Sequence, residues 1–523
     1  MYWADKIAKE IIASGKYKPF WVDDMKTPSG FAHVGSLRGP LIHSVIFRAM
    51  KDASKGKVVY TFVFNDFDPA DELPPEFKDG LSQYLGFPLK KVPSPKKEFA
   101  NLGDLLVDDL RKTMEALGVE AEFLSSWELY HEGKFDAVIR EALDSAEKIQ
   151  DIYQKVSGSK KREKGWLPFQ VICEGCGKLG TTRVFAWDGK EVSYKCEPNL
   201  VTWAKGCGHE GKISPFGGNG KLPWKVDWAA HWKVVGVTIE GAGKDHASAG
   251  GSYDIAMTLC DEVFHYPRPY KLPYEFFLIG GRKMSSSKGL GLKAHDLVKI
   301  LPPELGRFLF TRTDYRQQIN FDPMETMAIP DLFDEYDKCW QAYIEGSDED
   351  LARAFELAQI KSVPEKTSMF LPRFREVAQV IQMPNTEPET YFAEKKGEKL
   401  ENTEDEILKE RIIYAKVWVE QYAPETERFK VETHTKTIST QAHIVESDQV
   451  FFSKLVKAIQ EEKTPDGLEK TLYTIIKESG FTPKEAFVKI YRVLIGKDYG
   501  PKAAWLIWES KEKALTLFKE VSK

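Results

Sequence analysis

Two stretches far apart in the chain carry residues suited to holding a triphosphate. Lys283-Met284-Ser285-Ser286-Ser287-Lys288-Gly289 places two ammonium groups, three hydroxyls and a glycine in one short run. Such a loop can wrap phosphate oxygens with cations and hydrogen-bond donors. Upstream, Pro28-Ser29-Gly30-Phe31-Ala32-His33-Val34-Gly35-Ser36 reads as a turn between a strand and a helix. A helix N-terminus there offers free N–H groups and the positive end of the helix dipole to an anion. The lysine- and serine-rich run alone reads equally as a solvated loop. The two stretches together, in this order, point to a nucleotide site built from both.

A second cluster has metal-ligand character. Cys173, Cys176, Cys196 and Cys207 fall in one short window as C-x2-C followed at a distance by C-x10-C. Thiolates two residues apart form a knuckle suited to tetrahedral zinc, and Gly175 and Gly177 allow the tight turn. Four protein ligands leave no position for water, so the expected role is structural. His209 is an alternative fourth ligand, and buried free cysteines are the competing reading. Cys260 and Cys339 lie in apolar helical contexts and read as core.

The elements that must position these groups follow from the pattern. Apolar Ile7, Ala8, Ile11 and Ile12 recur at helical spacing over 3–15. Phe20-Trp21-Val22 reads as a short strand entering the Pro28–Gly35 turn, with a helix from Leu37 to Met50 after it. Lys57 to Phe64 is a β-branched and aromatic run, as expected of a strand buried on both faces. Asp66 and Asp68 then fall at its carboxyl end. A helix over 100–117, a strand at Ala121–Leu124 and a helix over 134–156 continue the alternation of a parallel sheet, whose ligands bind beyond the carboxyl ends of the strands. Val234 to Ile239 reads as the strand that resumes the sheet.

The expected fold is therefore a Rossmann-like α/β catalytic domain with a zinc-bearing insertion, followed by an all-α C-terminal domain. Its halves span 1–155 and 221–320, the insertion 156–220, a connecting segment 321–345 and the helical domain 346–523. Glu387 to Glu406 reads as a long acidic loop. At 523 residues the chain has room for about three or four domains. Its net charge of −5 would suit a small-molecule enzyme, so any nucleic-acid surface must be locally basic. No apolar run reaches membrane-span length. The first residues carry Asp5 and Glu10 without the apolar core of a signal peptide. Six cysteines in so long a chain are no disulfide framework, so a reduced, cytoplasmic setting is expected.

The motifs resemble a known family. Thr27 to Gly35, Phe64-Asn65-Asp66-Phe67-Asp68-Pro69, Gly243-Lys244-Asp245-His246, Gly250-Gly251-Ser252-Tyr253-Asp254 and the Lys283–Gly289 loop are similar, in order and spacing over 20–320, to the class I lysyl-tRNA synthetases. That family carries the HIGH-like and KMSKS-like sequences of class I aminoacyl-tRNA synthetases. Gly496-Lys497-Asp498-Tyr499-Gly500-Pro501 extends the resemblance. Ser36 stands where the family usually has Asn, and Val34 replaces Ile.

The resemblance implies ATP-dependent ligation of L-lysine to tRNA(Lys) through a lysyl-adenylate, with Mg2+. The substrate carboxylate is already ionised, so catalysis is positioning plus stabilisation of charge on phosphate oxygens. His33, Lys283, Ser286 and Lys288 would be the catalytic groups. Pro28, Ser29, Gly30, His33, Gly35, Ser36, Lys283, Met284, Ser285 and Ser286 would bind ATP. Gly30, Asp66, Trp232, Asp245, His246 and Tyr274 would bind lysine, with Asp68, Trp228 and the acid that meets the side-chain ammonium left open. The helical region would read the anticodon end of the tRNA, with Lys484, Lys489, Arg492, Lys497 and Lys502 available for phosphates. A monomer is expected. Other readings are a class I synthetase for glutamate or arginine, a zinc-containing tRNA-binding paralogue without activity, and a nucleotidyltransferase for a small metabolite.

Overall fold

The apolar run before Asn65 becomes the strand beside the centre of a five-stranded sheet. The computed structural model describes residues 1–160, 165–284, 292–383, 386–431 and 445–523. The strands are β1 (Phe20–Lys26), β2 (Val58–Phe64), β3 (Glu122–Ser125), β4 (Ile239–Gly243) and β5 (Tyr270–Tyr274). Their order is β5-β4-β1-β2-β3 and every pairing is parallel. From β1 the chain builds β2 and β3 on one side and later returns to lay β4 and β5 on the other. The carboxyl ends of β1 and β4 therefore border the crevice where parallel sheets bind ligands.

Helices cover the sheet as the apolar spacing requires. Helix α1 (Trp3–Ser14) buries Ile7, Ala8 and Ile11, and Gly15 ends it in the left-handed conformation. Helix α2 (Arg38–Ala53) follows a 3-10 turn at Val34–Leu37, so the glycine-containing turn opens directly into a helix N-terminus. Helix α3 (Leu102–Ala116) is capped by Asn101, whose side chain accepts from the Asp104 N–H.

Several sequence expectations change in the structure. β1 runs on to Lys26, four residues past Val22, because each of its residues pairs with β2 up to Lys26 opposite Phe64. The strand resuming the sheet begins at Ile239; Val234 and Val235 belong instead to helix α4 (Trp224–Val235), which Gly236 closes in the left-handed conformation. The helix expected over 134–156 is two, Asp136–Asp144 and Ala146–Ser157, with non-helical Ser145 between them. The acidic segment 387–406 is largely helical: Pro388 opens a helix that Gly397 ends and that buries Phe392, and Asn402 begins the next.

The cysteine-bearing segment forms a three-stranded antiparallel sheet from Thr182–Trp187, Val192–Cys196 and Glu210–Ile213. It shares a continuous apolar core with α4, in which Val184, Val192 and Tyr194 join Trp228 and Trp232.

The chain divides into two compact units. One holds Met1–Phe321 and Cys339–Glu365, the other Asp322–Lys338 and Lys366–Lys523. In the first, Arg353 bonds Asp5 at 3.1 Å and Asp52 at 2.6 Å. The described residues of the second are helical with short turns, around a core that includes Phe451, Leu455, Leu472, Leu494 and Phe518. There the buried Arg411 guanidinium meets Asp337 at 2.5 Å and the Pro372 carbonyl at 2.6 Å.

Candidate active site and metal centre

Backbone pairing brings the two signature stretches together. The Val34 N–H donates to the Leu292 carbonyl at 2.8 Å, and the Ala294 N–H donates to the Ala32 carbonyl at 2.7 Å. His33 lies opposite Lys293 in an antiparallel bridge. On the near side of the lysine-serine loop, Met284 packs on Gly35 so closely that a Cβ there would lie 2.7 Å from Met284 Cε. Both ends of the loop thus sit on the turn. Ser285, Ser286, Ser287 and Lys288 lie outside the described residues; Lys283 pairs through its backbone with Leu278.

Two cavities open at the carboxyl ends of the strands. The smaller, of about 290 Å³, is lined by His33, Gly35, Ser36, Gly39, Asp245 and Met284 among others. The Ser36 hydroxyl is buried and without a hydrogen-bond partner among the described residues. Behind it, the Arg38 guanidinium is buried and donates to the carbonyls of Phe310, Asp314 and Gln317 at 2.7, 3.2 and 3.1 Å. Burial pushes Arg38 down to about 10, which leaves it a cation at neutral pH. The helix N-terminus, an unpartnered hydroxyl and a fixed cation make this pocket suitable for an anion.

The larger cavity, of about 790 Å³, is lined by Thr27, Ser29, Asp68, Trp224, Trp228 and Glu240 among others. Six residues border both spaces: Asp24, Met25, Lys26, Gly243, His246 and Tyr274. The sequence reading had singled out His246 and Tyr274, and they stand at this junction. Asp245 faces only the smaller cavity. Pro28, Gly30, Asp66 and Trp232 border neither.

For Asp66 and Trp232 the reason is visible. Asp66 is turned to the start of the helix after β3, where it accepts from Ser125 Oγ at 2.7 Å and the Trp127 N–H at 2.9 Å. Trp232 is fully buried, with its N–H on Glu240; Trp228, one helical turn earlier, takes the cavity wall. Trp224 and Trp228 are stacked with centroids 6.0 Å apart, and the His246 ring meets Trp224 edge-on at 5.6 Å. These aromatic faces suit an alkyl chain with a cationic tip.

Two of the acids on the larger cavity are already engaged. Asp68 accepts from Lys221 Nζ at 2.5 Å on one oxygen and from Thr27 Oγ1 at 2.5 Å on the other. Lys221 is itself buried and also 3.4 Å from Asp227. Glu240 accepts from the indole N–H groups of Trp228, at 2.8 Å, and Trp232. Asp24 and Lys26 were absent from the sequence reading. The available signal was the run of charges Asp23, Asp24 and Lys26 after the apolar Phe20-Trp21-Val22.

The four cysteines converge. The sulfurs of Cys173, Cys176, Cys196 and Cys207 all lie within 4.8 Å of one another. Cys173 and Cys207 are 3.6 Å apart, Cys176 and Cys196 3.7 Å. A tetrahedron with metal–sulfur bonds of about 2.3 Å has edges of about 3.8 Å, so the set fits zinc. His209 is outside this set and rests against Tyr194, with ring centroids 6.0 Å apart.

In the helical unit, four of the five basic residues singled out in the sequence face acids. Lys489 pairs with Asp448 at 2.8 Å, Arg492 with Asp498 at 2.5 Å and Lys502 with Glu469 at 2.6 Å; Lys497 pairs with Glu425. A phosphate there would have to compete with a carboxylate for each of these cations.

Comparison with known proteins agrees with this geometry. The family model described as tRNA synthetases class I (K) matches residues 1–361. Among curated proteins, the lysine–tRNA ligase of Archaeoglobus fulgidus is 31% identical over 512 residues, covering 97% of each chain. That of Methanocaldococcus jannaschii is 32% identical over 538 residues, covering 96% of each. That of Pyrococcus horikoshii is 32% identical over 522 residues, again covering 96% of each. With a family match across most of its length and relatives aligned nearly end to end, this chain belongs to the class I (K) tRNA synthetases.

Proposed function

We propose that this protein is a lysine–tRNA ligase: it activates L-lysine with ATP and transfers it to tRNA(Lys). The observation that carries the reading is the junction of the two cavities, one beside the signature turn and one walled by tryptophan, at the carboxyl ends of β1 and β4. The names of the relatives supply the amino acid.

In the first step a lysine carboxylate oxygen attacks the α-phosphorus of ATP and pyrophosphate leaves. In the second a ribose hydroxyl at the tRNA terminus attacks the acyl carbon and AMP leaves. The smaller cavity takes the nucleotide, with His33 and the Ser36 hydroxyl as donors and Gly35 leaving room beside the backbone. Met284 fixes the near end of the loop that carries Lys283, Ser285, Ser286 and Lys288. Lys283 meets the pyrophosphate. Mg2+, held mainly by the phosphates themselves, would neutralise part of their charge. The larger cavity takes the lysine side chain against Trp224, Trp228 and His246.

Cys173, Cys176, Cys196 and Cys207 would hold a structural zinc that fixes the insertion. The helical unit takes the part of the tRNA remote from its acceptor end. The test is pyrophosphate exchange with each of the twenty amino acids, with and without tRNA. Exchange with lysine alone supports the assignment; exchange with glutamate or arginine, or none at all, refutes it.

A further inference from the structure

Resting on the ligase reading, we infer that Asp24 and Lys26 form the subsite for the α-carbon end of the substrate. The Asp24 carboxylate takes the α-ammonium and the Lys26 ammonium takes the α-carboxylate.

The placement follows from the chemistry of the junction. The reacting carboxylate must reach the α-phosphate, so the α-carbon has to sit where the nucleotide cavity meets the larger one. Asp24 and Lys26 border both cavities. They are two residues apart on β1, so their side chains leave the same face. Their Cα atoms are separated by about 6.6 Å, wide enough to flank a zwitterion whose two charges share one carbon.

Two other acids on the larger cavity, Asp68 and Glu240, are committed elsewhere, while Asp71 borders the larger cavity alone. Asp68 is neutralised by Lys221, and both Glu240 oxygens receive indole N–H groups. Asp24 is held in place at the junction by one short and one long contact. Its Oδ1 accepts the Met25 N–H at 2.8 Å. The nearest ring nitrogen to its Oδ2 is His43 Nδ1, at 3.5 Å. That nitrogen already serves the Gly39 carbonyl at 2.8 Å, while His43 Nε2 accepts the Gly241 N–H at 2.7 Å. This pattern fixes the tautomer, with the proton on Nδ1 directed mainly to the Gly39 carbonyl, so that Oδ2 shares it only at the longer distance of 3.5 Å. A Cβ on Gly39 would lie 2.7 Å from both Asp24 Oδ2 and the Tyr274 hydroxyl, so glycine there lets carboxylate and phenol converge.

The Lys26 ammonium has no hydrogen-bond or ion-pair partner among the described residues, although it lies at the centre of the site. Burial pushes its pKa down, partly offset by Asp24. A bound carboxylate would supply the missing counter-charge.

Truncated ligands separate the roles, each measured as an inhibitor of lysine-dependent pyrophosphate exchange by the full-length protein. Norleucine lacks the side-chain ammonium, 6-aminohexanoate lacks the α-ammonium, and cadaverine lacks the carboxylate. Asp24→Asn should weaken lysine and norleucine by about ten- to a hundredfold, as for loss of a charged hydrogen bond, with 6-aminohexanoate and the ATP KM unchanged. Lys26→Met should weaken lysine and 6-aminohexanoate alike and spare cadaverine. Wild-type protein should itself bind 6-aminohexanoate at least about tenfold more weakly than lysine, a result that does not depend on any variant folding. Asp24→Asn weakening 6-aminohexanoate but not norleucine would place Asp24 on the side-chain ammonium and overturn the inference. So would Lys26→Met weakening cadaverine as much as lysine. If another amino acid proves to be the substrate, the ligase assignment to lysine fails, yet the same variants with that amino acid and its des-amino analogue still decide the subsite.

Discussion

Replacing Lys221 by Met would remove the ammonium that holds the larger cavity's floor together. Lys221 Nζ lies 2.5 Å from Asp68 and 3.4 Å from Asp227, with its side chain 2% exposed. Asp68 also binds the Thr27 hydroxyl, and Asp227 binds the Tyr130 hydroxyl. Methionine preserves the volume, so the change isolates charge. Breaking one side of a buried pair costs about 3–5 kcal/mol because the partner charge is left uncompensated. Asp68 is 18% exposed and recovers some hydration, which argues for the lower end, about 3 kcal/mol.

The assay is urea unfolding followed by indole fluorescence, since Trp228 and Trp232 share the core of this network. A double-mutant cycle with Asp68→Asn isolates the pairwise part. The two changes together should cost less than their sum by more than about 1 kcal/mol, as expected for residues in one ion pair. A Lys221→Met protein within about 0.5 kcal/mol of wild type, or additive effects, would show that Asp68 and Asp227 do not depend on Lys221.

Lys283→Ala should slow adenylate formation by on the order of a hundredfold, about 3 kcal/mol, because the lost cation meets charge that develops in the transition state; a raised lysine KM at unchanged rate would refute that role. Protein purified without chelator should contain zinc by elemental analysis, lost in Cys207→Ser and kept in His209→Ala, and the reverse pattern would move the fourth ligand to His209. Burial pushes Glu240 up to about 8 from 4.5, with the two indole N–H groups offsetting part of the shift. The folded state then holds a proton that the unfolded chain has lost, so this contribution to stability is present at acid pH and disappears as pH rises to about 8. Glu240→Gln should flatten the fall in unfolding free energy between about pH 5 and 8; an unchanged slope would count against the shift.

Much of this protein is written in local chain chemistry. The strand-to-helix turn around His33 and Gly35 and the cysteine knuckle are short stretches whose residue types bring their own backbone geometry and donors. The alternation of strands and helices predicts a parallel sheet, and a parallel sheet places ligands at the strands' carboxyl ends. The groups between the two signature stretches are of another kind. Asp24 and Lys26 matter because β4 returns to lie beside β1, more than two hundred residues downstream, so that Gly243 and Tyr274 close around them.

Which carboxylate is free also depends on distant partners. Asp68 is engaged by Lys221, separated by 153 positions, and Asp66 by the start of the helix after β3. Trp228 and Trp232 look alike in the sequence, four residues apart on one helix. Both bond Glu240 and pack against Tyr253, yet the fold buries Trp232 entirely and brings Trp228 to the cavity wall. Residue type and spacing therefore determined which chemistry this chain carries. Tertiary structure decided which side chains remain available for it, because charge compensation and burial are set by neighbours that no local window contains.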